Sequence, residues 1–446
     1  MSPFKCDGST GSQDAWEIQM EGVVAALTAM QSRWANVSAP RSTTIKTLID
    51  DLNEFAQKQF CYFHTSFANG SLDLSTEFPP EYVYSTMLEQ IQYDIDVLQR
   101  VIDERGSGDG VMRDTLLGTA DRLASLALSH AREANLIEAE TVALTYFHKA
   151  PSIRVIPYAP AALIAVPYLV LASRRDYLAI PHEAGHYVFW HGKQAGVPIY
   201  RAAFERLRDL LKGKMNPDTP EFIKWFDWLQ EVFADVYGCM VAGPVMAVDF
   251  QDLQTHTSRE EFGQSDGRHP TPALRPFIYH QALHRIAGAG SNWSQQANIL
   301  WQNWFNHLRA NYNQPVELLP QGAGQAAQKV NVNIFNVLFT LPGVVDDLVT
   351  IALDLLKGVQ PGDWTNNTAS ADLYTAFENT FFSATTAKGV INEAVHVFDW
   401  QQWMARLEAD SDAWMTENQQ RQRAPKWWWL LMAGGWTAEG PNTFWP

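Results

Sequence analysis

Five consecutive residues, His182, Glu183, Ala184, Gly185 and His186, constrain this chain more than any other feature. They spell HEAGH. On a helix, positions i and i+4 share one face, so the two imidazoles can reach one metal ion together. The glutamate between them points toward the adjacent open coordination position. Two neutral nitrogen ligands and a carboxylate able to take a proton from water are what a hydrolytic zinc site requires. The bland alternative is a pair of ordinary polar-face histidines. Pro181 directly precedes His182, which places the start of the helix close to the motif.

Such a site needs a third protein ligand and an open fourth position. A second helix is expected downstream. Thr219, Pro220 and Glu221 read as an N-cap, a first-turn proline and an early acid. Phe222, Trp225, Phe226, Leu229, Val232, Phe233 and Val236 then follow a helical period. Glu231 and Asp235 lie four apart on this helix, and carboxylates in an apolar stretch must be paired or bound to a metal. Glu231 can complete a His-His-Glu set. Asp235, one turn on, can accept the other ring N–H of a ligand histidine. The competing reading pairs both acids with arginines of the same region. A metzincin pattern is excluded, because the places for its glycine and third histidine hold Phe189 and Gly192. Gly192 instead reads as the glycine that ends the helix, with His191 in its last turn.

HEAGH followed by a helix carrying E-x-x-x-D resembles the gluzincin zinc metallopeptidases. The E-x-x-A-D-x-x-G form, Glu231 to Gly238, is similar to the CAAX-prenyl-protease-like metallopeptidases. A third segment, His269-Pro270 through Arg275, is similar to the H-P-x-x-x-x-R stretch of that family. The resemblance spans roughly residues 140–290. It implies a zincin-like core in which His182, His186 and Glu231 bind zinc, Glu183 is the general base and Asp235 supports a ligand histidine. His269 and Arg275 would line or brace the site. His269 is the first choice for the donor to the developing oxyanion, with Arg275 or Tyr279 behind it as contacts to substrate or transition state. The expected activity is zinc-dependent hydrolysis of peptide bonds in a peptide or protein. A zinc hydrolase of a non-peptide amide and a binding protein that merely retains the zinc site are the alternatives. Many members of that family span the membrane. This chain's longest apolar run, 159–172, contains Pro167 and is too short to do so.

The fold class expected is mainly α with a small β-sheet. Three consecutive regions are read: N-terminal helices over 1–138, a metallopeptidase core over 139–290 and a Trp-rich helical region over 291–446. In the first, 82–103 carries the stripe Met87, Leu88, Ile91, Ile95, Leu98, Val101 and Ile102. Strands are expected at 141–147, 153–158 and 162–171. The last of these, just before the HEAGH helix, is the candidate edge strand for pairing with an extended substrate; a simple buried strand is the alternative. Twelve of the 17 tryptophans fall at or after Trp293, with Trp427, Trp428 and Trp429 adjacent. They read as a substrate groove or, more simply, as packing groups. Residues 322–328 read as a linker.

A net charge of −16 and the lack of any basic cluster exclude nucleic acid as a partner. The N-terminal segment lacks the pattern of a secretory signal, so a soluble, cytoplasmic protein is expected, with export by a dedicated machine left open. Cys6, Cys61 and Cys239 are scattered and odd in number, which argues against disulfides and fits a reducing compartment.

Overall fold

The structure is a computed structural model. It describes residues 4–6, 14–35, 41–72, 78–106, 111–171, 174–212, 220–254, 258–262, 269–288, 299, 315–317, 329–331, 344–366, 393 and 397–407. The chain is mainly helical with a small sheet, as expected. It divides into two compact units, one of residues 1–121, 140–165 and 391–446, the other of 122–139 and 166–390. These units are not consecutive in sequence. The strands through residue 165 group with the N-terminal helices, whereas the sequence reading had set them with the HEAGH helix.

The first unit is built on α1 (Ala15–Trp34), α2 (Ser42–Ala68), α3 (Pro80–Gly106) and the first half of α4 (Val111–Glu133). Asp14 starts α1 with a capping box: its carboxylate accepts from the amides of Trp16 and Glu17, and Glu17 accepts from the Asp14 amide. On α3 the expected stripe is buried, with Met87, Ile91, Leu98 and Val101 fully inaccessible. It meets a matching face of α2 formed by Ile45, Leu48, Leu52, Phe55 and Phe60 in one core. Trp403 joins that core as a packing group. Its indole donates to the Pro157 carbonyl at 3.0 Å, and its ring sits edge-on to Phe55. Trp427, Trp428, Trp429 and the linker at 322–328 lie outside the described residues.

Strands β1 (Val142–His148), β2 (Ser152–Val155) and β3 (Ala161–Pro167) form one sheet in the order β1-β3-β2. β2 and β3 are antiparallel, with Ile153 opposite Ile164. β3 is therefore the central strand. Both of its edges are taken and every residue in it is buried, so the edge-strand reading of 162–171 is corrected. Its unbroken apolar run is what a strand covered on both faces needs. Beyond Pro167 the chain leaves the sheet as a 3₁₀ turn, Tyr168–Leu171.

Cys6 and Cys61 form a disulfide, which corrects the reading of the scattered cysteines as arguing against a disulfide framework. Cys239 is free and buried.

The second unit is organised by α5 (Ala179–His191) and α7 (Pro220–Ala242). Around α7 pack α6 (Ile199–Leu211), α8 (Pro244–Gln254), α9 (Arg275–Ala287) and α10 (Val344–Leu355). Most of α7 from Trp225 onward is buried on every side, which explains why its sequence is apolar almost all round. α7 begins at the expected proline; Thr219, its expected cap, lies outside the described residues. α5 ends as expected at Gly192, whose amide donates to the Val188 carbonyl at 2.8 Å. Ala195 and Gly196, both at positive φ, then turn the chain into a two-residue hairpin. No helix among the described residues is long and apolar enough to cross a membrane.

Candidate metal centre

Gly185 sets the distance between α5 and α7. A Cβ built there would lie 2.8 Å from the Ala234 Cα and 3.1 Å from the Ala234 carbonyl oxygen. Both are backbone atoms that cannot swing aside. Gly238 is as tight, because its added Cβ would strike the Met246 thioether and lie 3.3 Å from the His182 amide nitrogen. The small residues within HEAGH and E-x-x-A-D-x-x-G thus let the two helices touch. That contact brings Glu231 beside the histidines.

One donor atom from each of His182, His186 and Glu231 lies within 4.8 Å of the others, so the three could hold a metal ion. The two Nε2 atoms are 3.2 Å apart. Glu231 straddles them, with Oε2 3.6 Å from His182 Nε2 and Oε1 3.5 Å from His186 Nε2. Around a zinc ion with ligand bonds near 2.05 Å, tetrahedral donors are about 3.3 Å apart, so these separations match a four-coordinate cation. Charge points the same way. Glu183, Glu231 and Asp235 are buried together, and the structure gives them one guanidinium partner, Arg275, among the described residues. With neutral histidines, one negative charge remains when Glu183 is protonated and two when it is ionised, which a divalent cation would offset.

The histidines are oriented from behind. His182 Nδ1 lies 2.9 Å from Asp235 Oδ1. A carboxylate only accepts, so Asp235 favours the ring proton on Nδ1, which in the neutral ring leaves the Nε2 lone pair for the site. Gln230 Nε2 lies 3.2 Å from His186 Nδ1, so in this orientation the side-chain amide donates to that ring nitrogen. Turned about its last bond, the same amide would present its carbonyl oxygen and accept the Nδ1 proton, the arrangement that leaves Nε2 free for a metal. Sequence reasoning missed Gln230. Its one signal was its position next to Glu231. Phe250 of α8, whose ring packs at 5.3 Å on His182, gave no signal at all.

Arg275, the first residue of α9, forks onto Asp235, with Nη2 to Oδ1 at 2.7 Å and Nε to Oδ2 at 3.2 Å. Its Nη2 also lies 3.3 Å from Glu231 Oε2. The ligand reading and the arginine reading of these acids are therefore realised together. Asp235 is fully buried between an imidazole and a guanidinium, and Arg275 braces it. His269 is brought to the site: Nε2 is 3.5 Å from Glu231 Oε1, and the side chain is 45% exposed, open to an incoming molecule. Tyr279 is packed away. Its ring lies edge-on to Phe250, it is 1% exposed and its hydroxyl has no hydrogen-bond partner among the described residues. His191 stacks on Tyr187 at the end of α5, outside the ligand cluster.

Burial raises Glu183 to about 7, partly offset by His182. Burial would raise Glu231 as well, but His269, His186 and Arg275 overcome it and hold this carboxylate at about 2. Burial lowers His186 to about 4. It acts on His182 in the same sense, yet the hydrogen bond and charge of Asp235 raise that histidine above its usual value. The two flanking carboxylates are thus pushed apart, one fixed as an anion and one able to exchange a proton near neutral pH.

Comparison with family models, curated proteins and solved structures finds no match.

Proposed function

We propose that this protein is a zinc-dependent metallopeptidase that uses Glu183 as its general base. The observation that carries the reading is the convergence of His182, His186 and Glu231 at tetrahedral spacing on two touching helices. Zinc bound there would polarise a scissile carbonyl and acidify a water molecule.

The residues of the chain do the rest. His182 and His186 present Nε2, and Glu231 presents its carboxylate. Asp235 favours the ring proton of His182 on Nδ1, and Gln230, with its amide turned, would do the same for His186. Glu183 takes the proton of the attacking water on a carboxylate oxygen and returns it to the leaving amine. His269, at the exposed side of Glu231, is the donor to the developing oxyanion. Arg275 holds Asp235 and Glu231 in register and does not touch substrate.

Two variants and a cleavage screen against proteome-derived peptides test this. The wild type should carry about one zinc per chain, as a three-residue site implies. Glu231→Ala should lose the metal. Glu183→Gln should keep it and lose about 10²–10⁴-fold in turnover, the usual contribution of a general base. A wild-type rate in Glu183→Gln would refute the mechanism. A zinc-loaded wild type that cleaves no peptide would move the reading to a non-peptide amide or to binding alone.

A further inference from the structure

The first unit contains a second group of metal-ligating side chains, remote in sequence from HEAGH. Cys6, Glu17 and His64 each place one donor atom within 4.8 Å of the others. Cys61, bonded to Cys6, stands one turn before His64 on α2, so the two share a helix face. One sulfur, one imidazole and one carboxylate therefore meet there, and the Cys61 sulfur is bonded to the first. Once the disulfide is opened, the two thiolates, the imidazole and the carboxylate would supply the four donors a tetrahedral zinc ion takes.

Two details indicate more than a disulfide with polar neighbours. Glu17 is 2% exposed, yet its carboxylate accepts only from two backbone amides, those of Cys6 at 3.4 Å and Asp14 at 3.2 Å. No ion pair joins it among the described residues, although a buried carboxylate ordinarily has a cation beside it. His64 is oriented as metal-bound histidines are. Asp14 Oδ2 lies 2.8 Å from Nε2 and accepts its N–H, which in the neutral ring leaves Nδ1 with a lone pair. Phe60 stacks on the ring at 5.4 Å and fixes its plane.

We propose that Cys6, Cys61, His64 and Glu17 form a redox-gated site for zinc or a similar thiophilic divalent cation. In the oxidised chain the sulfurs are consumed by their mutual bond. A thiol reductant opens the site: two reductant thiols become one disulfide, and the Cys6–Cys61 bond becomes two thiols. Capture of the cation releases both thiol protons to solvent and leaves two thiolate ligands. The bound charge also supplies the cation that Glu17 lacks. This site does not rest on the peptidase reading, since none of its residues belongs to that centre.

Metal uptake separates the two centres. The full-length His182→Ala/His186→Ala variant, deprived of the first centre, is prepared oxidised and, in parallel, reduced with a phosphine under inert gas. Each sample is equilibrated with zinc and, separately, with cobalt(II). The expected result is about one equivalent of zinc in the reduced sample and essentially none in the oxidised one, with thiolate-to-cobalt charge-transfer absorption only after reduction. Cys6→Ser should abolish both signals. His64→Ala leaves the disulfide intact in the oxidised chain and should lower uptake at least tenfold after reduction. Equal uptake in oxidised and reduced samples would overturn the proposal. So would a reduced sample without thiolate absorption, folded or not, or undiminished uptake by His64→Ala.

Discussion

At the scale of single residues, Asp235 does the most to define the centre. It is fully buried, takes the Nδ1 proton of His182 and receives the Arg275 guanidinium on both oxygens. Replacing it by asparagine preserves shape but removes the charge that both neighbours use. Asp235→Asn should weaken zinc affinity by roughly 10–100-fold, the usual cost of losing a partner that orients a ligand histidine. Competition with a chromophoric chelator measures this directly. Unchanged affinity would reduce Asp235 to an ion-pair partner of Arg275. His182, His186, Glu231 and Asp235 were legible in the sequence because a four-residue spacing fixes a shared helical face locally. Gln230 was not, since its partner His186 lies 44 residues away on another helix. Tyr279 could be named from the sequence but not oriented. Its helix turns the ring toward Phe250, a neighbour that only the packing of α8 and α9 supplies.

At the scale of elements, the crossing of α5 and α7 positions all three ligands, and it depends on the missing side chain at Gly185. Gly185→Ala should destabilise the protein by roughly 1–3 kcal/mol, as overpacking against immovable atoms does. It should also weaken metal binding, because α7 must retreat and carry Glu231 with it. Gly22 is the control. It lies exposed in the middle of α1, and an added Cβ meets nothing within 4 Å. Gly22→Ala should therefore stabilise by about 0.5–1 kcal/mol through helix propensity alone. Denaturant midpoints of the two variants should move in opposite directions. A neutral Gly185→Ala would mean that the helices have room to separate. The elements themselves were readable where periodicity was strong, as on α3 and α7. Whether β3 was central or at an edge was not, because strand order depends on which distant segments close the sheet. An apolar run such as 161–167 fits either place until β1 and β2 are known to flank it.

At the scale of the whole molecule, sequence order and spatial grouping part company. Residues 140–165 read as the approach to the HEAGH helix yet belong with α1–α3, and 391–446 return to the same unit from the far end of the chain. Composition gives no hint of such returns. The Cys6–Cys61 bond escaped for the same reason: it spans 55 residues, and three scattered cysteines carry no spacing signal. The consequence is two stabilising devices in two different units. The disulfide ties the segment before α1 to α2 in the first, and the candidate metal centre joins α5 to α7 in the second. A loop of 55 residues corresponds to about 4 kcal/mol in the chain-entropy model. A metal at 100 times its dissociation constant contributes about 2.7 kcal/mol. Hydrogen exchange followed by mass spectrometry should separate them. Chelation should deprotect the amides of α5 and α7, where the ligands sit. Reduction in the presence of a chelator should deprotect α1 and the middle of α2. If chelation left α5 and α7 as protected as before, the HEAGH centre would hold no structural metal, and its zinc affinity would have to be measured before any catalytic role is assigned to Glu183.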